Sequence, residues 1–400
     1  MTRRVLHLLS QRPDRTGSGI TLDALVAQAG QRGWEQRVLC ALPDGELPPA
    51  VGGLEPDEIE AVRFESSELP FAIPGMSDVM PYPSRRFSSL TTGELDLYRR
   101  AWRDAIAALI KRFDPHVIHS HHLWLMTALA SEQSAGRTLV GHCHGTDLRQ
   151  RALCPELTLE ADRGALACDR VVTLHTDHAD QIRNSIGVHQ DALQLVGAGY
   201  REEIFFDGGA TKDSKRIVYA GKYSQAKGLP SLLEAFARLR DQRPEWELHI
   251  AGDGEGAEAE AIRARILELG QVVREHGQLQ QAALADLFRS AAICVLPSFF
   301  EGLPLVLVEA LACGCRIVAT DHAGVREVLA PAFGDALQIV PMPALQAIDQ
   351  PQPAALPQFE DELSVALDRA IQAGPIVAND QRLRPFRWKS VFDRIEPTWR

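Results

Sequence analysis

The chain has 400 residues, 45% of them hydrophobic and 24% charged, which is enough for two domains of ordinary size, each with its own core. A formal net charge of -11 argues against nonspecific nucleic-acid binding, and no apolar run is long enough to span a bilayer. Seven cysteines without CxxC spacing fit reduced thiols in a cytoplasmic protein better than a disulfide framework.

The start, MTRRVLHLLS, carries two arginines and a short apolar run. Gln11, Arg12, Asp14 and Arg15 follow at once, so a first buried strand over 4–9 is read rather than a signal sequence. In QRPDRTGSG, Gly17 and Gly19 bracket Ser18 ahead of a helix over 20–30, with Leu22, Leu25, Val26 and Ala29 on one face. Such a loop lets backbone approach a ligand closely, and a plain tight βα turn explains it as well. A second strand covers 35–42. Residues 43–95 are the least regular part, rich in proline and glycine, with apolar patches near Val62 and Phe71. The long loop 73–87 reads either as a mobile flap over an acceptor pocket, with Arg85 and Arg86 as anion contacts, or as a solvated surface loop.

An amphipathic helix is expected over 95–113. DPHVIHSHH then places His119, His121 and His122 at the end of a strand, where ligands of α/β sheets collect. After a helix over 123–134, a strand over 138–143 ends in HCHGTDL, which puts His144, Gly145 and Asp147 at a second strand end. His119, His121, His142 and His144 could converge, but their spacing matches no common zinc pattern. Hydrogen bonding to hydroxyls, or packing, is the reading taken, and no metal is assigned. A helix over 175–185, capped by Thr176 or Asp177, precedes a strand over 193–196. The first domain (1–198) ends there, and Gly208, Gly209 and TKDSKR read as a hinge that permits whole-domain motion.

The second domain (199–378) restarts the α/β rhythm. A strand over 217–220 runs into GKYSQAKG, where Gly221 ends the strand and Lys222 and Lys227 flank a tight loop before a helix over 229–240. Lysines so placed suit a diphosphate, or are two solvated surface charges. AGDG and HGQL close the next two strands. The stretch AAICVLPSFFEGLPLVLVEALACGCRIVAT (291–320) reads strand, loop, helix, strand. Pro304 suits the first turn of its helix and Gly314 the end. That helix is apolar nearly all round except for Glu309, and a buried carboxylate needs something to satisfy it. Glu301 sits in the loop at the helix entrance, whose N–H groups attract phosphate. One short segment thus offers two carboxylates for hydroxyls and a backbone cradle, the outline of a sugar-nucleotide site. Downstream, 326–329 starts a helical turn, 334–340 a short strand, and 342–358 reads as a Pro- and Gln-rich surface excursion. Helices are expected over 359–373 and in the tail PFRWKSVFDRI, with Phe386, Trp388 and Phe392 as anchors. No clear amphipathic basic helix marks a membrane site, although Arg382, Arg384, Arg387 and Lys389 form a small basic cluster that leaves peripheral membrane contact open.

EGLPLVLVEALACGCRIVAT resembles the E-x7-E segment of family 4 glycosyltransferases, the retaining group with the GT-B fold. The order of GSG, DPHVIHSHH, HGTD, hinge, G-K-x4-K-G, AGDG and HGQL agrees with that family. The match is continuous over 216–330, fair over 1–22 and 114–200, and weak over 43–100 and 340–380. The resemblance implies an α/β protein of two Rossmann-like, doubly wound parallel-sheet domains facing a cleft. The first would be acceptor-side and the second nucleotide-sugar-binding, with a terminal helix (379–400) crossing back to the first domain.

By position, Glu301 would hold donor-sugar hydroxyls, with the backbone N–H groups of Gly302 and Leu303 near it. Glu309 would bind the ribose, and Lys222 and Lys227 would neutralise the diphosphate beyond Gly221. Lys222 stands where the family more often has arginine, which keeps the charge and loses the planar fork. His144 would reach the donor sugar, Gly17 and Gly19 would admit diphosphate and acceptor, and the Leu279 neighbourhood would contact the base. Arg85, Arg86, His121 and Asp147 are the acceptor-side candidates. A UDP-sugar donor, a hydroxyl-bearing acceptor (lipid, polysaccharide or small metabolite), retention and independence of metal follow from the resemblance. A sugar-nucleotide 2-epimerase of GT-B shape and a non-catalytic nucleotide binder are the competing readings. A dinucleotide oxidoreductase is set aside because no GxGxxG follows the first strand.

Overall fold

The computed structural model describes residues 3–14, 16–77, 80–209 and 214–400. The chain divides into two units, Met1–Ala198 with Trp388–Arg400, and Gly199–Arg387. Each is built on one parallel sheet, as an α/β reading requires.

In the first unit the strands are β1 Arg4–Leu9, β2 Glu35–Pro43, β3 Ile59–Phe64, β4 Val117–His121, β5 Thr138–His142, β6 Arg170–Thr173 and β7 Leu193–Leu195, in the spatial order β3-β2-β1-β4-β5-β6-β7. β1 and β4 are buried almost throughout, the mark of strands covered on both faces. Strand order reverses between β1 and β4, and the carboxyl ends there form the crevice in which open α/β sheets take ligands. The long helix α2 (Thr92–Phe113) is set by a capping box of Thr91 and Glu94 and buries Tyr98, Trp102 and Ile106.

Helix α1 runs Gly17–Gln31, starting before the expected Ile20. Thr16 is its N-cap and accepts the Gly19 N–H at 3.0 Å, so GSG is the first helical turn and not a loop ahead of it. A Cβ at Gly19 would lie 2.6 Å from the Pro13 carbonyl oxygen, whereas one at Gly17 would meet nothing. Only the second glycine is sterically required.

The reading of 43–95 needs correction. It contains β3, and Phe71, Ile73, Met76, Tyr82 and Phe87 are buried in the main core of the unit. The segment is therefore packed down by its aromatic and apolar side chains, and the reading of 73–87 as a solvated surface loop does not describe it; Asp78 and Val79 lie outside the described residues. Helix α6 (Thr176–Ser185) is capped by the His175 ring, which accepts the His178 N–H, and not by Thr176 or Asp177.

The chain end, helix α12 (Trp388–Ile395) and the turn after it, packs on α1 within this unit. Trp388, Val391, Phe392, Ile395 and Trp399 share a cluster with Ala24, Leu25, Ala29 and Trp34. Glu396 accepts from Arg32 at 2.7 Å and from the Trp34 indole at 3.1 Å. Phe386 stays in the second unit, against Phe333, so the division falls after Arg387 rather than after 378.

The second unit has β8 Arg216–Ala220, β9 Glu247–Ala251, β10 Val273–Gly277, β11 Ile293–Leu296, β12 Arg316–Thr320 and β13 Leu337–Val340, ordered β10-β9-β8-β11-β12-β13. The same reversal recurs between β8 and β11. Helix α11 (Leu356–Gln372) packs on α7 (Leu229–Arg240). The excursion at 342–358 includes a small antiparallel hairpin, Leu345–Ala347 with Gln350–Pro351. The hinge expectation falls partly on 210–213, outside the described residues.

Among the described residues no helix is long and apolar enough to cross a membrane. Three members of the expected basic cluster are ion-paired: Arg382 with Asp335, Arg387 with Glu202 and Asp380, and Lys389 with Asp393. All seven cysteines are buried thiols outside any disulfide.

Candidate active site

In the second unit Lys227 and Glu301 meet at the carboxyl ends of the strands. Glu301 sits in the loop between β11 and helix α10 (Leu305–Ala312), where Pro304 is the N-cap and not a first-turn residue. Lys227 closes the loop after β8. Its Nζ donates to Glu301 Oε1 at 2.6 Å. Burial alone would raise the Glu301 carboxyl, but Lys227, His322 and the Ser298 hydroxyl outweigh it and hold the group below the usual carboxylate range.

Backbone interlocking fixes this pair. Phe299 N–H donates to the Ala226 carbonyl at 2.8 Å, joining the glutamate and lysine loops. Gly228 has φ +68°, and a Cβ there would overlap the Pro297 carbonyl. A Cβ at Gly324 would overlap the Gly302 carbonyl. His322 Nε2–H donates to the Ser298 carbonyl at 2.7 Å, and the Tyr219 hydroxyl donates to the Lys222 carbonyl at 2.7 Å. The ends of three strands, β8, β11 and β12, are thus locked around one carboxylate. His322, Gly324 and Tyr219 were not singled out from the sequence; only their fold neighbours reveal them.

Glu309 lies in α10, almost fully buried, and burial pushes its carboxyl up to about 7 against the opposing charge of Arg201. Lys222 and Gly221 stand at the end of β8, Gly302 and Leu303 on the turn between Glu301 and α10, and Leu279 is half-buried just beyond β10.

The first unit gathers histidines. His7, His119, His121, His122, His142 and His144 form a continuous set of ring contacts. The Trp399 indole N–H donates to His119 Nδ1 at 2.8 Å, so His119 keeps its proton on Nε2 and donates to His142 Nδ1 at 3.2 Å. His119, His121 and His142 bring nitrogens within 4.8 Å of one another. With both His119 nitrogens engaged in this way, neither offers a lone pair to a cation. Burial and the neighbouring imidazoles push His144 well below its ordinary value, so it is neutral at pH 7.

The acceptor-side candidates fare differently from expectation. Asp147 has no exposed surface, and its carboxylate is occupied by His122 and by backbone N–H groups. His121 is equally buried and bonds His144 Nε2 through its Nδ1 at 3.1 Å. Arg85 donates to Glu94 and to the Ser89 carbonyl. Only Arg86 is exposed. A carboxylate or imidazole at a strand end looks like a ligand in sequence, and burial decides otherwise here.

Residues 200–343 match the family described as glycosyl transferases group 1, and residues 16–199 match the glycosyl transferase 4-like domain. The chain belongs to the family 4 glycosyltransferases. It is similar to a D-inositol 3-phosphate glycosyltransferase of Paenarthrobacter aurescens, 30% identical over 173 residues, or 40% of this chain and 42% of that one. That match spans less than half of either protein. A D-inositol 3-phosphate glycosyltransferase of Catenulispora acidiphila is 25% identical over 320 residues, 72% of each chain. Among solved structures, the Anabaena protein HepE in complex with UDP and glucose superposes with a TM-score of 0.66 at 16% identity, over 98% of both chains. This family 4 chain therefore has the GT-B fold.

Proposed function

We propose that this glycosyltransferase moves a hexose from a UDP-sugar to a hydroxyl of its acceptor, with retention and without a metal. The observation that carries the reading is the Lys227–Glu301 pair, a cation and a carboxylate 2.6 Å apart at the ends of the second sheet. As the glycosidic C–O bond breaks, negative charge grows on the leaving diphosphate and positive charge on the sugar ring. Lys227 and Lys222 stabilise the first by preorganised electrostatics. Glu301, once released by Lys227, accepts from sugar hydroxyls and fixes the ring. Glu309 accepts from the ribose. The family resemblance assigns His144 to the donor sugar as well. The acceptor attacks from the face the diphosphate leaves, and the departing phosphate oxygen takes the acceptor's proton. UDP is supported by the fold neighbour solved with UDP and glucose. A phosphorylated polyol is the first acceptor to try, because two relatives are named for D-inositol 3-phosphate.

The test is release of nucleoside diphosphate from UDP-, GDP- and ADP-sugars, first without acceptor and then with inositol phosphates, with the anomer of any product read by NMR. UDP release that is lost in Lys227→Ala supports the reading. Interconversion of the sugar without nucleotide release, or binding without turnover across the panel, overturns it.

A further inference from the structure

A buried carboxylate in the first unit has no part in the donor chemistry above. Asp147 lies on the first turn of α4 (Thr146–Leu153). Its Oδ2 accepts the backbone N–H of His144 at 2.7 Å and of Gly145 at 3.2 Å, and its Oδ1 accepts His122 Nδ1–H at 2.7 Å. Burial would raise this carboxyl, yet His122 and these donors hold it below its ordinary value, so it is ionised. His122 has φ +76°, a left-handed backbone that a histidine rarely adopts, and Gly145 has φ +87°. One strained backbone conformation, at His122, and one glycine turn thus aim one ring and two N–H groups at a single carboxylate, and strain like that at His122 collects where a functional group is fixed. His144, carried on this turn, stays partly exposed while Asp147, His121 and His122 are buried. The Nε2 of His144 is engaged by His121, which leaves the Nδ1 of His144 as the nitrogen to offer a ligand.

We propose that Asp147 and His122 are positioning residues for His144: the carboxylate sets the height of the turn, and the imidazole of His122 sets the carboxylate. The inference rests on the transferase reading, in which His144 touches the donor sugar. A displacement of about 1 Å at such a group costs about 100-fold in rate.

The experiment measures kcat and KM for donor hydrolysis in wild type, Asp147→Ala, His144→Ala and the double variant, with His122→Ala and His122→Asn alongside. Asp147→Ala is expected to lower kcat about 100-fold with little change in donor KM, since it leaves untouched the residues proposed for the diphosphate and ribose. In the His144→Ala background the same substitution should cost less than about threefold, because the residue it positions is gone. His122→Asn keeps an N–H donor and tolerates the left-handed backbone, so it should recover at least about tenfold over His122→Ala. Equal losses from Asp147→Ala in both backgrounds, or an unchanged kcat, overturn the positioning role. Should Asp147→Ala lose its native circular dichroism, the His122 pair decides alone: equal kcat in the two His122 variants overturns it. A wild-type protein that releases no nucleotide overturns the transferase reading instead.

Discussion

Lys227 and Glu301 form an ion pair across 2.6 Å, so the cation proposed for the diphosphate and the carboxylate proposed for the sugar already engage each other. In the proposed reaction, donor binding exchanges this ion pair for a lysine–phosphate ion pair at one end and for hydrogen bonds from sugar hydroxyls to the carboxylate at the other. The exchange is near balance only if the incoming ligand carries both a phosphate and hydroxyls. A nucleotide lacking the sugar frees Glu301 without satisfying it.

Lys227→Met should therefore do more than lower turnover. It leaves Glu301 buried beside Ser298 and His322 without its strongest counter-charge. In wild type the ionised pair contributes stability above the ordinary carboxylate range and loses it as pH falls through the depressed value of Glu301. In the variant, burial disfavours ionisation instead. The destabilisation by Lys227→Met should be small near pH 4 and grow to about 2 kcal/mol at pH 7, since the lysine is partly exposed and its pairing is screened. Urea unfolding of both proteins across that range checks it.

Glu309 behaves in the opposite sense. Its carboxyl is raised to about 7 in the folded protein, so between its unfolded value of 4.5 and about 7 the folded chain holds a proton that the unfolded chain has lost. Stability from this group is full below 4.5 and is lost as pH rises through 7, an effect on the order of 3 kcal/mol. Glu309→Gln should flatten that part of the pH–stability curve. With Glu309 on the ribose as proposed, hydroxyls donate best to the ionised form, so nucleotide affinity should rise between pH 6 and 8 in wild type and stay level in the variant, as read by calorimetry.

What the sequence revealed and what it hid divide along range. The alternation of strand and helix, and the loop holding Glu301, rest on contiguous residues and were legible as patterns. The company kept by Asp147 was not, because its partner His122 comes from the neighbouring strand end and burial is set by the whole unit. The packing of 43–95 was hidden for the same reason: Phe71 and Phe87 look like isolated aromatics until α2 supplies Tyr98, which touches Phe87 directly and is linked to Phe71 through Phe64. The chain end is the extreme case, since Trp399 donates to His119 across 280 positions.

The histidine core around that last bond is acid-sensitive in a testable way, because its rings are buried. Burial lowers His142 to about 3 and His7 to about 4. Between about 6.5 and 4 the unfolded chain takes up protons that these folded imidazoles refuse, so stability is fully present above 6.5 and falls as acid is added. Trp399→Phe keeps the ring packing and removes the donor to His119, which should cost about 1 kcal/mol at pH 7.5. His142→Asn should weaken the slope between pH 6.5 and 4 at some cost in packing. Equilibrium unfolding at a series of pH values reads both.

The two glycines of the α1 entrance separate steric need from helix propensity. Gly17 is helical, and a methyl group added there would meet no neighbouring atom, so Gly17→Ala should stabilise by about 0.5–1 kcal/mol through the reduced freedom of the unfolded chain. At Gly19 the same methyl would stand 2.6 Å from the Pro13 carbonyl oxygen, and backbone cannot swing aside as a side chain would. Gly19→Ala should cost about 1–3 kcal/mol by forcing the loop away from the helix. Because Thr16 caps the helix through the Gly19 N–H, the shift would also loosen that cap and lower helix content at the α1 start. Hydrogen exchange of the amides of residues 17–22 separates the two outcomes: protection is kept in Gly17→Ala and lost in Gly19→Ala.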